Sequence, residues 1–259
     1  MSKVRVIVLR TAGVNCDYET AHAFRVCGAE VELVHINELR RKEKNLNFYH
    51  ILALPGGFTY GDDIAAGKIL ANEIKFTLKN QIDEFIASGK LAIGICNGFQ
   101  VLVKSGLLPR KNGGVTLTDN DSGKFEDRWV YLKETSNGKC CFTKGIDSIV
   151  YMPVAHAEGK FVPKDEQTLN SLVEKNLVVF RYVDENSNPR GYPYNPNGSI
   201  YNIAGICDPT GRIFGLMPHP ERHIDPTQHP RWTREGLKKE SDGLQIFKNG
   251  VEFVRENLL

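Results

Sequence analysis

A short apolar run, Leu91–Ile95, leads directly into Gly94-Ile95-Cys96-Asn97-Gly98, and over Gly98–Ser105 the apolar spacing becomes that of a helix, which Gly106 ends. Strand, sharp turn and helix in that order form the cysteine version of the G-x-S-x-G nucleophile elbow. The nucleophile of such an elbow sits on a strained turn, where side chains two residues to either side would collide, and glycine at both places removes the collision. The feature demands a strand with a helix packed back against it. That is the unit from which open α/β sheets are built.

The same alternation recurs upstream. Val4–Leu9, Val31–Ile36 and Ile51–Leu54 read as strands. Tyr18–Cys27 places Tyr18, Ala21, Phe24 and Cys27 at helical spacing, with Gly28 as the C-cap. Residues 62–88 carry helical periodicity through Ile64, Ile69, Ile74, Leu78, Ile82, Phe85 and Ile86, closed by Gly89. The charged stretch Arg40–Lys44 reads as a solvated connection. The expected architecture is α/β, a three-layer, open, mostly parallel sheet covered on both faces. Ligand sites in such folds lie beyond the carboxyl ends of the strands. Loops 10–17 and 55–63 and the turn after Ile95 should therefore share one rim.

After Pro109 the pattern shifts. Candidate strands Trp129–Lys133, Ile149–Val154, Leu177–Tyr182, Ile200–Ile206 and Ile213–Met217 follow one another across Gly/Asn/Asp/Pro turns, with little helix between them. They are expected to add antiparallel strands in the C-terminal half. No linker-like break separates the halves, so residues 1–259 read as a single domain. Loops 184–198 and 224–239 are polar excursions, and Asp242–Asn257 is amphipathic through Leu244, Phe247, Val251 and Val254.

Composition excludes other classes. Lys and Arg number 33 against 31 Asp and Glu, so the net charge is 33 − 31 = +2, too balanced to point to nucleic acid or an acidic membrane. No apolar run reaches the ~18–20 residues of a membrane span, and no signal peptide is legible. The six cysteines form no C-x-x-C pair and read as reduced thiols of a cytoplasmic protein. No phosphate-binding glycine motif for ATP or a dinucleotide follows a strand, and no His/Cys/carboxylate group has metal-ligand spacing. The expectation is no metal and no cofactor bound by this chain.

A thiol nucleophile needs a base held by a third group. Met217-Pro218-His219-Pro220-Glu221 offers both: the prolines favour an extended path, residues i and i+2 then project to one side, and Glu221 can orient His219 toward Cys96. The other histidines read as structural, except that His156 stays open between a structural loop residue and one lining the site. An oxyanion needs donors in place. The Asn97 N–H at the start of the helix is one, and the Pro55-Gly56-Gly57 turn can supply another from Gly57.

GICNGFQ and MPHPE, 219 − 96 = 123 residues apart from Cys96 to His219, resemble the class I, triad-type glutamine amidotransferases. NCDYET at 15–20, PGGFTYGD at 55–62, PVAHAEG at 153–159 and NIAG at 202–205 narrow the resemblance to the PurQ-type glutaminase subunits of phosphoribosylformylglycinamidine synthase, over nearly the whole chain. Ala157 stands where that family suggests glycine. The resemblance implies a flavodoxin-like amidotransferase fold, with Cys96 as nucleophile, His219 as acid/base and Glu221 as orienting carboxylate. It implies Gly57 and Asn97 as oxyanion donors and Gln100 as a contact to substrate. L-glutamine is then hydrolysed through a cysteine thioester. The ammonia passes to a synthase large subunit that holds ATP and Mg²⁺ and makes formylglycinamidine ribonucleotide, with a small third subunit as a further partner and no nucleic acid or membrane involved. The alternatives are another cysteine hydrolase or DJ-1-like protein on the same fold, which leaves His219 and Glu221 without a purpose, and a non-catalytic glutamine-sensing module, which would not need an intact triad.

Overall fold

A computed structural model describes residues 3–109, 113–146 and 149–259. The first half runs β1 (Arg5–Arg10), α1 (Asp17–Val26), β2 (Glu30–His35), α2 (Ile36–Arg40), β3 (Ile51–Leu54), α3 (Lys68–Asn72), α4 (Lys79–Ala87), β4 (Leu91–Ile95) and α5 (Asn97–Lys104). The second half runs β5 (Val115–Thr118), β6 (Glu126–Glu134), β7 (Val150–His156), β8 (Lys160–Pro163), α6 (Glu166–Glu174), β9 (Val178–Val183), β10 (Ile203–Cys207), β11 (Ile213–Leu216), α7 (Trp232–Glu235) and α8 (Leu244–Asn257).

Nine strands form one mixed α/β sheet in the order β2-β1-β3-β4-β11-β10-β9-β6-β7, while β5 and β8 pair as a separate ribbon. The first five of the nine are parallel and the rest alternate. β3 and β4 are buried at every position, as continuous apolar runs in the middle of a covered parallel sheet must be. The crossover from β1 to β2 steps one way along the sheet and that from β3 to β4 the other. Right-handed connections then place their helices on opposite faces. α8 joins α1, with Phe24 and Phe247 packed edge to face at 4.9 Å. α3 packs on α5.

Several expectations are corrected. The segment 62–88 is not one helical run. A 3-10 turn, Thr59–Asp62, is followed by α3, a π-helical turn over Glu73–Thr77 and α4. Ile64 lies outside all of them and is 72% exposed. Tyr18 is also exposed: it opens α1 over the Arg10 guanidinium, 5.5 Å away, while Ala21 and Phe24 face the core. The charged connection begins in α2, where His35 and Glu38 form a capping box that starts a helix despite its charge. In the second half α6, β5 and β8 were not anticipated: β5 and β8 have only four residues each, and α6 buries only Leu172, so it carries no continuous apolar stripe. Ile200–Asn202 is a 3-10 turn rather than the start of a strand, and β11 is parallel to β4 although its other neighbour is antiparallel.

The parallel strands bring the carboxyl ends of β1, β3, β4 and β11 to one rim. β7, last in the order, reaches the same place. Its Ala155 carbonyl lies 3.6 Å from Cys96 Sγ and its Pro153 carbonyl accepts the His219 N–H at 2.8 Å, so the β6–β7 ribbon bends back over the rim.

Candidate active site

Cys96 has φ +51° and ψ −107°, a region that costs a non-glycine residue about 1–3 kcal/mol. The conformation is held by its N–H bonded to Leu216 O at 2.8 Å, and by its own carbonyl, which receives the Phe99 and Gln100 N–H groups at 3.0 and 3.1 Å. The flanking glycines have different reasons. A Cβ on Gly94 would stand 2.5 Å from Gly98 O, the predicted collision across the turn. A Cβ on Gly98 would stand 1.9 Å from Leu54 O, so this glycine lets α5 lie directly on β3. A nucleophile elbow suggests an exposed side chain, but Cys96 is only 5% exposed and lies on the floor of a cavity of about 240 Å³, which Asn15, Cys16, Phe58, Phe125, His219 and Arg222 help line.

His219 lines the same cavity, and Glu221 is bonded to its ring. The His219 Nδ1 to Glu221 Oε1 distance is 2.6 Å, with both side chains buried. Their pairing does not come from an extended segment, as expected. Pro220–Arg222 is a 3-10 turn, and the turn folds Glu221 back beneath the imidazole. Burial works against a charge on His219, but the Glu221 carboxylate, with the Cys96 and Cys16 sulfurs, outweighs it and holds the imidazole pKa well above its usual value. The second ring nitrogen, Nε2, has no hydrogen-bond partner among the described residues.

Gly57 is held at φ +146°, where only glycine is at ease, and a Cβ there would stand 2.7 Å from Gly13 O. The preceding carbonyl, Gly56 O, accepts from the Asn15 and Cys16 N–H groups at 3.4 and 3.2 Å. In a trans peptide the N–H points opposite the C=O, so the Gly57 N–H is turned away from that loop. Asn97 is the first residue of α5, and its N–H has no carbonyl within the helix to receive it. Its buried side chain organises the neighbourhood: Oδ1 accepts from Thr59 Oγ1 at 2.8 Å, and Nδ2 donates to Asp62 Oδ1 at 3.1 Å and to Gln100 Oε1 at 3.0 Å. Gln100 also donates to the Glu158 carbonyl. It lines a smaller hollow, about 40 Å³, that adjoins Cys96 between Gly57, Ala66 and His156.

The structure resolves the two readings of His156. It lines this hollow and is also fixed: Nδ1 lies 3.2 Å from Asn120 Oδ1, which also accepts the Gly159 N–H. Burial, with the nearby His219, pushes its pKa down to about 3, so it is neutral, and its buried Nε2 has no hydrogen-bond partner among the described residues.

Some residues were missed when the sequence was read for function. Cys16 and Arg222 were not assigned to the site, yet the Arg222 guanidinium donates to Cys16 Sγ at 3.1 Å. Asp62 and Glu158 pin the 59–67 loop, Asp62 to Asn97 and Gly67 N, Glu158 to Ala66 N and Lys104. All but Arg222 lie in the stretches that carry the family resemblance, the one signal that could have found them.

A family model, the CobB/CobQ-like glutamine amidotransferase domain, matches residues 3–254. Phosphoribosylformylglycinamidine synthase subunit PurQ of Dehalococcoides mccartyi is 53% identical over 99% of this chain and 100% of its own length. The chain belongs to the PurQ family of glutamine amidotransferase subunits. PurQ of Methanococcus maripaludis is 47% identical over 97% of this chain and 98% of its own. Among solved structures, PurLQS from Thermotoga maritima contains a chain matched with TM-score 0.74 and 32% identity, over 98% of this chain and 100% of that one. A glutamine amidotransferase of the same organism, 18% identical with TM-score 0.57 over 98% of both chains, shares the fold. As a PurQ-family chain the protein is a glutamine amidotransferase subunit of formylglycinamidine ribonucleotide synthesis.

Proposed function

We propose that Cys96, His219 and Glu221 are the catalytic residues and that L-glutamine is the substrate. The observation that carries the reading is the strained Cys96 in one cavity with a buried imidazole whose Nδ1 is 2.6 Å from Glu221. With Nδ1–H bonded to the carboxylate, Nε2 takes the Cys96 proton, and the raised imidazole pKa favours the resulting thiolate–imidazolium pair. The thiolate attacks the side-chain amide carbon of glutamine. The oxyanion is held by the Gly57 and Asn97 N–H groups, and Gln100, in the adjoining hollow, contacts the substrate. His219 returns the proton to the departing nitrogen, ammonia leaves, and a γ-glutamyl thioester remains. Water, deprotonated by His219, releases glutamate and restores the thiol.

Ammonia in neutral water is mostly ammonium, which is not a nucleophile, so it must pass directly to the enzyme that uses it. A synthase large subunit is the partner, as PurL is in the Thermotoga complex, with the ATP and Mg²⁺ of the reaction on its side and a small third subunit completing the assembly. Support comes from the rim. Phe58 and Phe125 stack over the cavity mouth with centroids 6.2 Å apart, and Tyr18 and Ile64 stand exposed on the neighbouring loops. A place in the cytoplasm agrees with six free cysteines and with no helix, among the described residues, long and apolar enough to cross a membrane. Glutamate release from glutamine, measured with the synthase subunit present, tests the reading. Cys96→Ala should abolish it while ammonia-dependent synthesis by the complex continues. Glutaminase activity retained in that variant overturns the assignment.

A further inference from the structure

Cys16 is a buried thiol that the mechanism leaves unused. It stands at the entry to α1, with its Sγ 4.0 Å from His219 Nδ1, 3.1 Å from Arg222 Nη2 and 3.1 Å from Asn15 Oδ1. Glu221 Oε1 lies on the same imidazole nitrogen. One sulfur, one imidazole nitrogen and one carboxylate oxygen therefore lie within 4.8 Å of one another, on three buried residues from loops 203 positions apart in the chain. A second observation points to a ligand. Glu221 Oε2 is buried and has no hydrogen-bond partner among the described residues, an expensive state for a carboxylate oxygen. Position 56 keeps the space open: a Cβ there would stand 2.7 Å from His219 Cε1 and 3.2 Å from Cys16 Sγ.

Thiolate, imidazole and carboxylate together suit Zn²⁺ better than a hard cation. Tetrahedral zinc sets a sulfur and a nitrogen ligand about 3.5 Å apart, so the Cys16–His219 separation needs to close by only a few tenths of an ångström. The carboxylate, now in hydrogen-bond contact, must draw back by somewhat more. Cys16 and His219 both face the 240 Å³ cavity, which gives an ion a way in and a water-filled fourth position.

We propose that Cys16, His219 and Glu221 form a binding site for a thiophilic divalent cation such as Zn²⁺, and that occupancy switches glutamine hydrolysis off. The switching half rests on the reading of His219 as the base; the binding half does not. The ion replaces the proton on His219 Nδ1, which moves to Nε2, while the Cys16 thiol gives its proton to solvent. An imidazole protonated at Nε2 has no lone pair for the Cys96 proton, so the nucleophile is not activated. Arg222 remains on the sulfur as an N–H donor, as outer partners of metal thiolates commonly are.

The two halves are tested separately. Co²⁺ added to the full-length Cys96→Ala chain should give a thiolate-to-metal charge-transfer band, and Zn²⁺ should displace it. The band should be lost in Cys96→Ala/Cys16→Ser and in Cys96→Ala/Cys16→Ala, with unchanged circular dichroism as the control for folding. No band in Cys96→Ala, or an equal band in the double variants, overturns the proposal whatever the glutaminase assay shows. In the complex with the synthase subunit, each variant's rate with Zn²⁺ is compared with its own zinc-free rate. Half-inhibition should need at least about tenfold more Zn²⁺ in Cys16→Ser than in the natural chain. Equal sensitivity would place the inhibiting ion on Cys96 and His219 instead, and overturns the switch.

Discussion

Cys96 sits at φ +51° beneath a base fixed by a 2.6 Å contact, and the value of that contact can be measured. Glu221→Gln keeps the volume and can keep a hydrogen bond, but it cannot stabilise an imidazolium. The analogous amide substitution in a serine triad costs about 10⁴ in turnover. A cysteine is the better nucleophile to begin with, so a smaller loss is expected here, carried in kcat with little change in the KM for glutamine. Wild-type turnover in the variant would show that something else orients His219. His156 yields a second prediction. Its folded pKa is about 3 against an ordinary 6.5, so below pH 6.5 the unfolded chain takes up a proton that the folded chain refuses. Stability drawn from this residue is present above pH 6.5 and falls by about 1.4 kcal/mol per pH unit as the pH drops toward 3. His219 has the opposite sign: its pKa is raised, so its contribution is full below the unfolded value and is lost as the pH rises through the folded one. Denaturant midpoints taken at pH 6.5 and near pH 5 should fall less in His156→Gln than in the natural chain, and equal slopes would show that His156 is not held neutral.

The elbow works because two elements touch without side chains between them. Gly98 lies so close to Leu54 O that even a methyl group forces α5 away from β3. Gly98→Ala should lower stability by at least the ~1–3 kcal/mol typical of overpacking, read as a lower urea midpoint, and should lower glutaminase activity by moving Asn97. The 59–67 loop is the second such element. Its Thr59 and Asp62 are bonded to the Asn97 side chain, and Ala66 N–H to Glu158, so its position and that of the proposed oxyanion donor are linked. Asp62→Asn should therefore weaken glutamine hydrolysis with the fold intact, through kcat rather than KM. An unchanged rate would detach the loop from the site.

At the scale of the whole molecule, four parallel strand ends and the returning β7 converge on one rim, and the exposed apolar side chains beside the cavity stand on it. We expect the synthase subunit to dock there and to set the Gly56–Gly57 peptide, so that hydrolysis is fast only in the complex. Asp62 is half-buried and engaged with Asn97, so the clean surface probes are Asp63 and Ile64, both exposed. Asp63→Lys or Ile64→Asp should reduce glutamine-dependent synthesis and spare ammonia-dependent synthesis. If both activities survive, or if the isolated chain hydrolyses glutamine as fast as the complex, the coupling is wrong.

The first half of the fold was legible because its signals are local. β3 and β4 are uninterrupted apolar runs, and Gly28, Gly89 and Gly106 end the helices before them with positive φ. Cys96, His219 and Glu221 could be named because a turn that demands glycines, and a histidine beside a carboxylate, are short-range patterns. The structure places these three together, and Gly57, Asn97 and Gln100 around them. Short-range pattern does not report distance across the sheet. It missed the β5–β8 ribbon, whose strands have four residues each, and α6, which buries only Leu172, and it put Tyr18 and Ile64 on apolar helical stripes because their spacing was right although their faces were not. Nor could it connect Cys16 with His219, or Ala155 with Cys96. Those neighbours are made by strand order and by the bend of the β6–β7 ribbon, which only long-range packing decides. The sequence alone determined the kind of chemistry, through local geometry; the tertiary structure decided what surrounds it.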